Sequence, residues 1–280
     1  MRTIIQVSDL HFGHILQPTL EPLLQLMHDI KPDLVIVSGD LTQRATEEQF
    51  IEAKAYIDRM PGPQLIIPGN HDIPLYNVFR RFLSPLDYYE KYITSDLAPV
   101  FIDEEIAVVG IDSARSFTFK GGTINQHQIE NAKGRFENPG GNPVRIVVAH
   151  HPFDIPVALS GVSIVNGARN AIEEFSKFDV SLFLTGHLHL IHHAKASLYV
   201  PGYDALLLGA GTATSTRARG EPNSFFVFRV DNTRPDSECI EIETHSWDPA
   251  RNQFQITDRR FAPRATRERL HHGHGSGITA

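Results

Sequence analysis

The sequence predicts an α/β protein whose strands deliver ligand-type side chains to one crevice, and three observations predict it. First, five short Val/Ile/Leu-rich runs, at residues 4–7, 34–37, 65–67, 146–149 and 182–184, are bounded by Gly and polar residues as buried strands are. Second, each run stops on a cluster of Asp, Asn, Gly or His: Asp9-Leu10-His11, Gly39-Asp40, Gly69-Asn70-His71-Asp72, His150-His151 and Gly186-His187-Leu188-His189. Third, helical periodicity separates the first three runs. A β-α-β-α-β order implies parallel strands with right-handed crossovers, and open α/β sheets place their sites outside the carboxyl ends of such strands.

The elements follow in order. Residues 19–30 carry Leu20, Leu23, Leu24 and Met27 at helical spacing, and Lys31-Pro32-Asp33 stops that helix. Thr46 reads as the N-cap of a second helix with Glu47 and Glu48 in its first turn. Phe50, Ala53, Ile57 and Met60 form its inward stripe, and Pro61-Gly62-Pro63 ends it. Residues 74–99 are less regular. Phe79, Phe82, Leu83, Leu86, Tyr88, Tyr89 and Tyr92 suggest short helices that either overhang the crevice or form a peripheral layer. Strands are expected at 100–102 and 106–111 around Asp103-Glu104-Glu105, then a helix at 126–136. From Ser197 onward the pattern predicts short strands at 197–200, 205–208, 225–230 and 239–244, which fit antiparallel strands completing a second sheet. No repeat or composition break marks a second domain, so residues 1–260 read as one domain. Residues 261–280 are basic and His-rich, without periodicity or caps, and read as a disordered tail.

With 41% hydrophobic and 21% charged residues the chain can bury a full core. No run approaches the ~18 consecutive apolar residues of a membrane helix. The first strand begins within three residues of Met1, leaving no room for a signal peptide. A single cysteine, Cys239, excludes an internal disulfide and reads as a small buried hydrophobe, so the cytoplasm is the expected compartment. The net charge of −7 argues against non-specific nucleic-acid binding and leaves a small molecule as the expected partner.

Asp9 and His11 are two residues apart, as are His187 and His189. If a strand persists through each pair, both members point to the same side. Asp40 and Asn70 each follow a Gly at a strand end, and His150 ends the fourth run. Seven candidate metal ligands, Asp9, His11, Asp40, Asn70, His150, His187 and His189, thus come from five separated segments. Carboxylate, imidazole and amide donors without thiolate suit a two-metal hydrolytic centre of Mn, Fe or Zn better than the all-oxygen sites of Ca and Mg.

In this order, and each at a strand end, these fragments resemble the calcineurin-like metallophosphoesterase superfamily over roughly residues 1 to 230. Within it the chain is most similar in feel to class III cyclic nucleotide phosphodiesterases and glycerophosphodiesterases. The resemblance implies the metallophosphoesterase fold, a two-sheet α/β sandwich with flanking helices. It implies one metal on Asp9, His11 and His189, a second on Asn70, His150 and His187, and Asp40 bridging them, with His71 beside the phosphoryl group. Ala149 stands where the family usually has Gly, and Ala is small enough to leave the site intact. The implied activity is hydrolysis of a phosphodiester, of the cyclic nucleotide or glycerophosphodiester class, by in-line attack of a metal-bridging hydroxide. Coordination lowers the pKa of water from ~16 to about 7, which supplies that nucleophile at neutral pH. His71 is the candidate catalytic residue, binding phosphate or protonating the leaving oxygen. Asp72 either orients His71 or caps the following turn. A phosphomonoesterase would use the same metal core. A non-catalytic scaffold of this fold should lack a ligand or the His after Asn70, and all are present here. The resemblance also suggests a homodimer.

Asn70, His71, His14 and Arg115 are the candidate substrate contacts. His151 would point away from the crevice, His192 and His193 read as a solvated loop, and Arg217 and Arg219, in a polar loop, read either as surface side chains or as partners for phosphate.

Overall fold

The computed structural model describes residues 1–116, 121–137, 140–157, 159 and 161–267. In chain order the elements are β1 (Arg2–Val7), α1 (Leu20–Ile30), β2 (Leu34–Ser38), α2 (Glu47–Ile57), β3 (Gln64–Ile67), α3 (Val78–Leu83), α4 (Asp87–Tyr92), β4 (Val100–Ile102) and β5 (Ile106–Ile111). Then come α5 (Gln126–Phe136), β6 (Val144–Ala149), α6 (Ala168–Ser176), β7 (Val180–Thr185), β8 (His192–Lys195), β9 (Leu206–Gly209), β10 (Ser224–Val230), β11 (Ile240–Asp248) and β12 (Gln253–Ala262).

Two six-stranded sheets form, ordered β12-β11-β10-β1-β2-β3 and β4-β5-β6-β7-β9-β8. Strand alternation decides how they stack. Ile4, Ile36, Phe226, Phe228 and Ile242 of the first sheet meet Val108, Ile146, Val148, Leu182 and Leu184 of the second in one buried core. The alternate residues Ile5, Val7, Val35 and Val37 face outward onto Leu23, Leu24 and Met27 of α1 and Phe50 and Ala53 of α2. On the other side Val147, Ala149 and Phe183 face Ile129, Ala132 and Phe136 of α5 and Ala171, Ile172 and Phe175 of α6. The result is the expected α/β sandwich, two sheets between two helical layers. β1, β2 and β3 run parallel, as do β5, β6, β7 and β9. No helix among the described residues is long and apolar enough to cross a membrane.

The structure corrects four expectations. The late strands do not complete the second sheet: β10 pairs antiparallel with β1, extending the first sheet through β11 and β12, and β9 alone joins the second sheet in parallel. Residues 197–200 are not a strand. Ala196–Leu198 form a short 3-10 turn, and the edge strand is the polar His192–Lys195. The stripe of Ala168, Ala171, Ile172 and Phe175 builds α6, which lies outside the elements read above. The tail does not begin at 261. β12 runs to Ala262, Ala265 is fully buried, and the Arg267 backbone N donates to Asp179 at 3.3 Å. Its polar alternation (Gln255, Thr257, Arg259) hides β12, because one face meets solvent. Residues 268–280 of the expected tail lie outside the described residues.

Between β3 and β4 the short helices do form. α4 belongs to the peripheral layer: Tyr89 is buried and its hydroxyl donates to the Ile66 carbonyl at 3.0 Å.

Candidate metal centre

The five ligand-bearing segments all leave their strands at the same end of the sandwich, after β1, β2, β3, β6 and β7. The strand-spacing argument for the two Asp/His-x-His pairs fails in detail, since β1 ends at Val7 and β7 at Thr185. Instead Asp9, His11, Asp40, His187 and His189 all adopt left-handed φ, between 52° and 70°. Each such residue costs of order 1–3 kcal/mol and persists only where its surroundings fix it. The fixing bonds are present. Asp9 N donates to Gly39 O and His11 N to Asp40 O, both at 3.0 Å. The Thr212 and Thr214 hydroxyls, on the loop after β9, donate to the carbonyls of Asp9 and Leu10.

Gly69 and Gly186 do more than turn the chain. A Cβ on Gly69 would stand 2.2 Å from Asp40 Oδ1, and one on Gly186 would stand 1.8 Å from Ser8 Oγ and 2.6 Å from Asp9 Oδ2. Gly69→Ala is therefore expected to push the Asp40 carboxylate out of place and lower bound metal per chain, as measured by elemental mass spectrometry on Mn²⁺-loaded protein. Full metal content in that variant would show that the Asp40 loop yields instead.

Two groups result, sharing Asp40. Asp9, His11, Asp40 and His189 offer ligand atoms within 4.8 Å of one another, and so do Asp40, His150 and His187. Asn70 joins the second group: its Oδ1 lies 2.9 Å from His187 Nδ1 and 3.3 Å from His150 Nε2. The orientation of the rings is set from behind. His150 Nδ1 lies 2.8 Å from Ser38 O, His189 Nδ1 3.0 Å from Arg217 O and His11 Nδ1 3.3 Å from Thr42 O. A carbonyl only accepts, so each Nδ1 carries a proton and each ring, once neutral, presents the Nε2 lone pair to the centre.

The carboxylates are arranged likewise. Asp9 Oδ2 accepts from His187 N at 2.9 Å and Asp40 Oδ1 from His71 N at 2.8 Å. Their other oxygens, Asp9 Oδ1 and Asp40 Oδ2, are buried and accept no hydrogen bond. His189 Nε2 stands 3.1 Å from Asp9 Oδ1, and the Nε2 atoms of His11 and His189 face each other at 3.0 Å. Lone pairs converging this closely repel one another unless a cation or a proton lies between them. Burial pushes the Asp40 carboxyl up, but His150, His71 and His11 outweigh it and hold the group below the usual carboxylate range. Burial opposes charge on His150, yet Asp40 lifts its imidazole to about 9. The donor set fits two divalent ions of the Mn/Fe/Zn type, whose binding would displace that proton.

His71 lies beside the first group, its ring centroid 4.9 Å from that of His11. Its Nδ1 donates to Gln43 O at 2.9 Å, leaving Nε2 as the working atom. Asp72 does not orient it, and this corrects its assignment as catalytic. The Asp72 carboxylate accepts from the backbone N of Leu41, Thr42 and Gly69 and from the Thr42 hydroxyl, locking the Asp40 loop to the Asn70 loop. Burial beside Asp40 raises Asp72 to about 7, against the pull of those N–H donors. Arg115, a candidate substrate contact, is engaged within the protein. Its guanidinium is held by the Asp112 and Ala114 carbonyls and by Gln128 Oε1, at the N-terminus of α5. His14 is exposed, with Nδ1 3.1 Å from Thr216 Oγ1. His151 is buried, with Nδ1 2.8 Å from Ser113 Oγ. His192 lies on β8 rather than in a solvated loop and meets Asp154 at 2.7 Å.

Gln43 is the site residue the sequence does not single out, and Arg217, readable only as a surface or phosphate-pairing side chain, is brought to His71. Arg217 Nη1 donates to His71 Nε2 at 3.0 Å and lies 3.3 Å from Gln43 Oε1. Only the position of Gln43, three residues past Asp40, offered a signal.

The family model described as calcineurin-like phosphoesterase matches residues 2–190. The chain is 29% identical over 163 residues to the probable glycerophosphodiester phosphodiesterase GpdQ of Arcobacter nitrofigilis; the match spans 58% of this chain and 58% of that protein, so little more than half of the relative is represented. It is 24% identical over 241 residues to the 3',5'-cyclic adenosine monophosphate phosphodiesterase CpdA of Haemophilus influenzae, covering 84% of this chain and 79% of that one. Among solved structures, purple acid phosphatase PPD1 from yellow lupin superposes with a TM-score of 0.70 at 14% identity, over 94% of this chain and 53% of that one, a likeness of fold.

Proposed function

This chain belongs to the calcineurin-like phosphoesterase family, and from that premise we propose that it is a dinuclear-metal-dependent phosphodiesterase of small substrates, of the cyclic nucleotide or glycerophosphodiester class. The observation that carries the reading is the convergence of unshared lone pairs, Asp9 Oδ1, Asp40 Oδ2 and the Nε2 atoms of His11 and His189, on one buried space. The names of the two relatives favour a diester over a monoester.

Asp9, His11, His189 and Asp40 would hold one ion, and Asp40, Asn70, His150 and His187 the other. When bound, the ions supply Lewis acidity and a water of lowered pKa. The chain does the rest. Carbonyls of Ser38, Thr42 and Arg217 hold three ligand rings in one tautomer. The Asp40 carboxylate fixes the His71 backbone, and Gln43 O keeps the His71 proton on Nδ1. Nε2 of a doubly protonated His71 is then placed to donate to the leaving oxygen, a general-acid role. A cytoplasmic location and a homodimer belong to the same proposal.

The test is hydrolysis of bis(p-nitrophenyl) phosphate beside p-nitrophenyl phosphate by the Mn²⁺-loaded protein. A higher kcat/KM on the diester is expected. A monoester preference would replace the reading by a phosphomonoesterase, and turnover of neither ester would favour a non-catalytic scaffold.

A further inference from the structure

We propose that Arg217 is the side chain that grips the phosphoryl group. Its guanidinium rests on His71 and Gln43, and turns onto a non-bridging phosphoryl oxygen when phosphate enters, giving up its contact with Nε2 of His71. This deepens the phosphodiesterase reading and rests on it for the identity of the substrate.

Three observations support the assignment. The first is anchorage. The Arg217 carbonyl accepts from His189 Nδ1 at 3.0 Å, and its backbone N donates to Ser215 Oγ at 3.1 Å. The residue's backbone is thus fixed directly behind a metal-group ligand, while its side chain reaches across to His71. The second is charge. Arg217 is half-buried and forms no ion pair among the described residues; its Nη1 meets only two neutral acceptors. Arg80 and Arg229, also half-buried, sit on carboxylates, those of Asp87 and Glu243. A guanidinium left with neutral partners keeps its fork of donors for a planar or tetrahedral oxyanion.

The third observation is the contact with His71 itself. Nη1 can only donate, so His71 Nε2 accepts and carries no proton in this arrangement. A His71 that donates a proton from Nε2 cannot keep that contact. The interaction is a resting one, and the group that displaces it must satisfy the guanidinium in exchange. A phosphoryl oxygen does so, and Nε2 of His71, freed of the guanidinium, must first take up a proton from solvent before it can donate to a leaving oxygen.

The experiment measures binding of inorganic phosphate to the Mn²⁺-loaded protein by titration calorimetry, for wild type, Arg217→Met and Arg217→Lys, with metal content measured in parallel. The Arg217 carbonyl survives either substitution, so both metals are expected to stay. Phosphate affinity is expected to fall at least about tenfold in Arg217→Met, the scale of a lost charge-assisted hydrogen bond. Arg217→Lys should recover part of it, and added guanidinium should recover part of it in Arg217→Met, which a purely structural role would not allow. Wild-type affinity in Arg217→Met, a loss that merely follows lost metal, or no phosphate binding by wild type would each overturn the proposal. The two readings fail separately. If phosphate binding depends on Arg217 but no ester turns over, the phosphodiesterase reading falls and the grip stands. If Arg217→Met hydrolyses diesters with unchanged KM, the grip falls and the reading stands.

Discussion

Asp40→Ala is expected to empty both ligand groups at once and to lower diester turnover by more than the ~10–100-fold that loss of a residue merely supporting a ligand costs. Asp40 is the one residue common to the two groups. Its Oδ2 lies 3.3 Å from His150 Nε2 and 3.6 Å from His11 Nε2, while Oδ1 holds the His71 backbone. One truncation therefore removes the carboxylate that both ions would share and unties the neighbouring histidine. The variant should still fold, because Asp72 continues to hold Leu41 and Thr42, and Val35 and Val37 keep their packing. Thermal unfolding supplies a readout independent of turnover. A metal that binds only the folded chain adds about 4 kcal/mol when present at 1,000 times its Kd. Wild type should show such an increment on adding Mn²⁺, and Asp40→Ala should lose most of it. Asn70→Ala, which touches the second group alone, should lose less. Two metals per chain and an unchanged rate in Asp40→Ala would refute a shared ligand.

What the sequence made legible, and what it hid, divides along physical lines. The five ligand segments were readable because apolar strands ending on Asp, Asn or His, three of them directly after a Gly, are local patterns, and parallel strands bring such ends together. The reason those ends work was not readable. Asp9 and His11 cooperate through left-handed backbone rather than strand alternation, and that backbone is held by Thr212 and Thr214 some 200 residues on. A Thr in a polar loop gives no sign that its hydroxyl reaches a carbonyl across the fold. For Arg217 the sequence left open a surface role or a phosphate contact for the same reason, since its place depends on where the loop after β9 returns. Asp72 and Arg115 failed oppositely. Each sits beside informative residues in sequence, but Asp72 is taken up by four donors of two loops and Arg115 by the carbonyls of Asp112 and Ala114 just after β5. Sheet membership of β10–β12 was likewise non-local. Their alternation marks them as strands, but only the open side of β1 decides where they pair.

His71→Ala is expected to retain both metals and lose ~10²–10⁴-fold in rate on a diester with an alkoxide leaving group, the usual range for a general acid. Metal should stay because the His71 ring is in neither ligand group, and the bond from its backbone N to Asp40 survives the truncation. Proton donation and phosphate binding both predict a slower enzyme, so the rate loss alone does not separate them. The leaving group does. p-Nitrophenolate departs without a proton, whereas the alkoxide of glycerol or of a ribose hydroxyl does not. If His71 donates from Nε2, the variant should be crippled on a glycerol or nucleoside diester and far less affected on bis(p-nitrophenyl) phosphate. Equal losses on both substrates would remove the acid role and leave His71 as a phosphate contact. Then the Arg217–His71 pair would be a single anion-binding unit rather than a grip and an acid that must part.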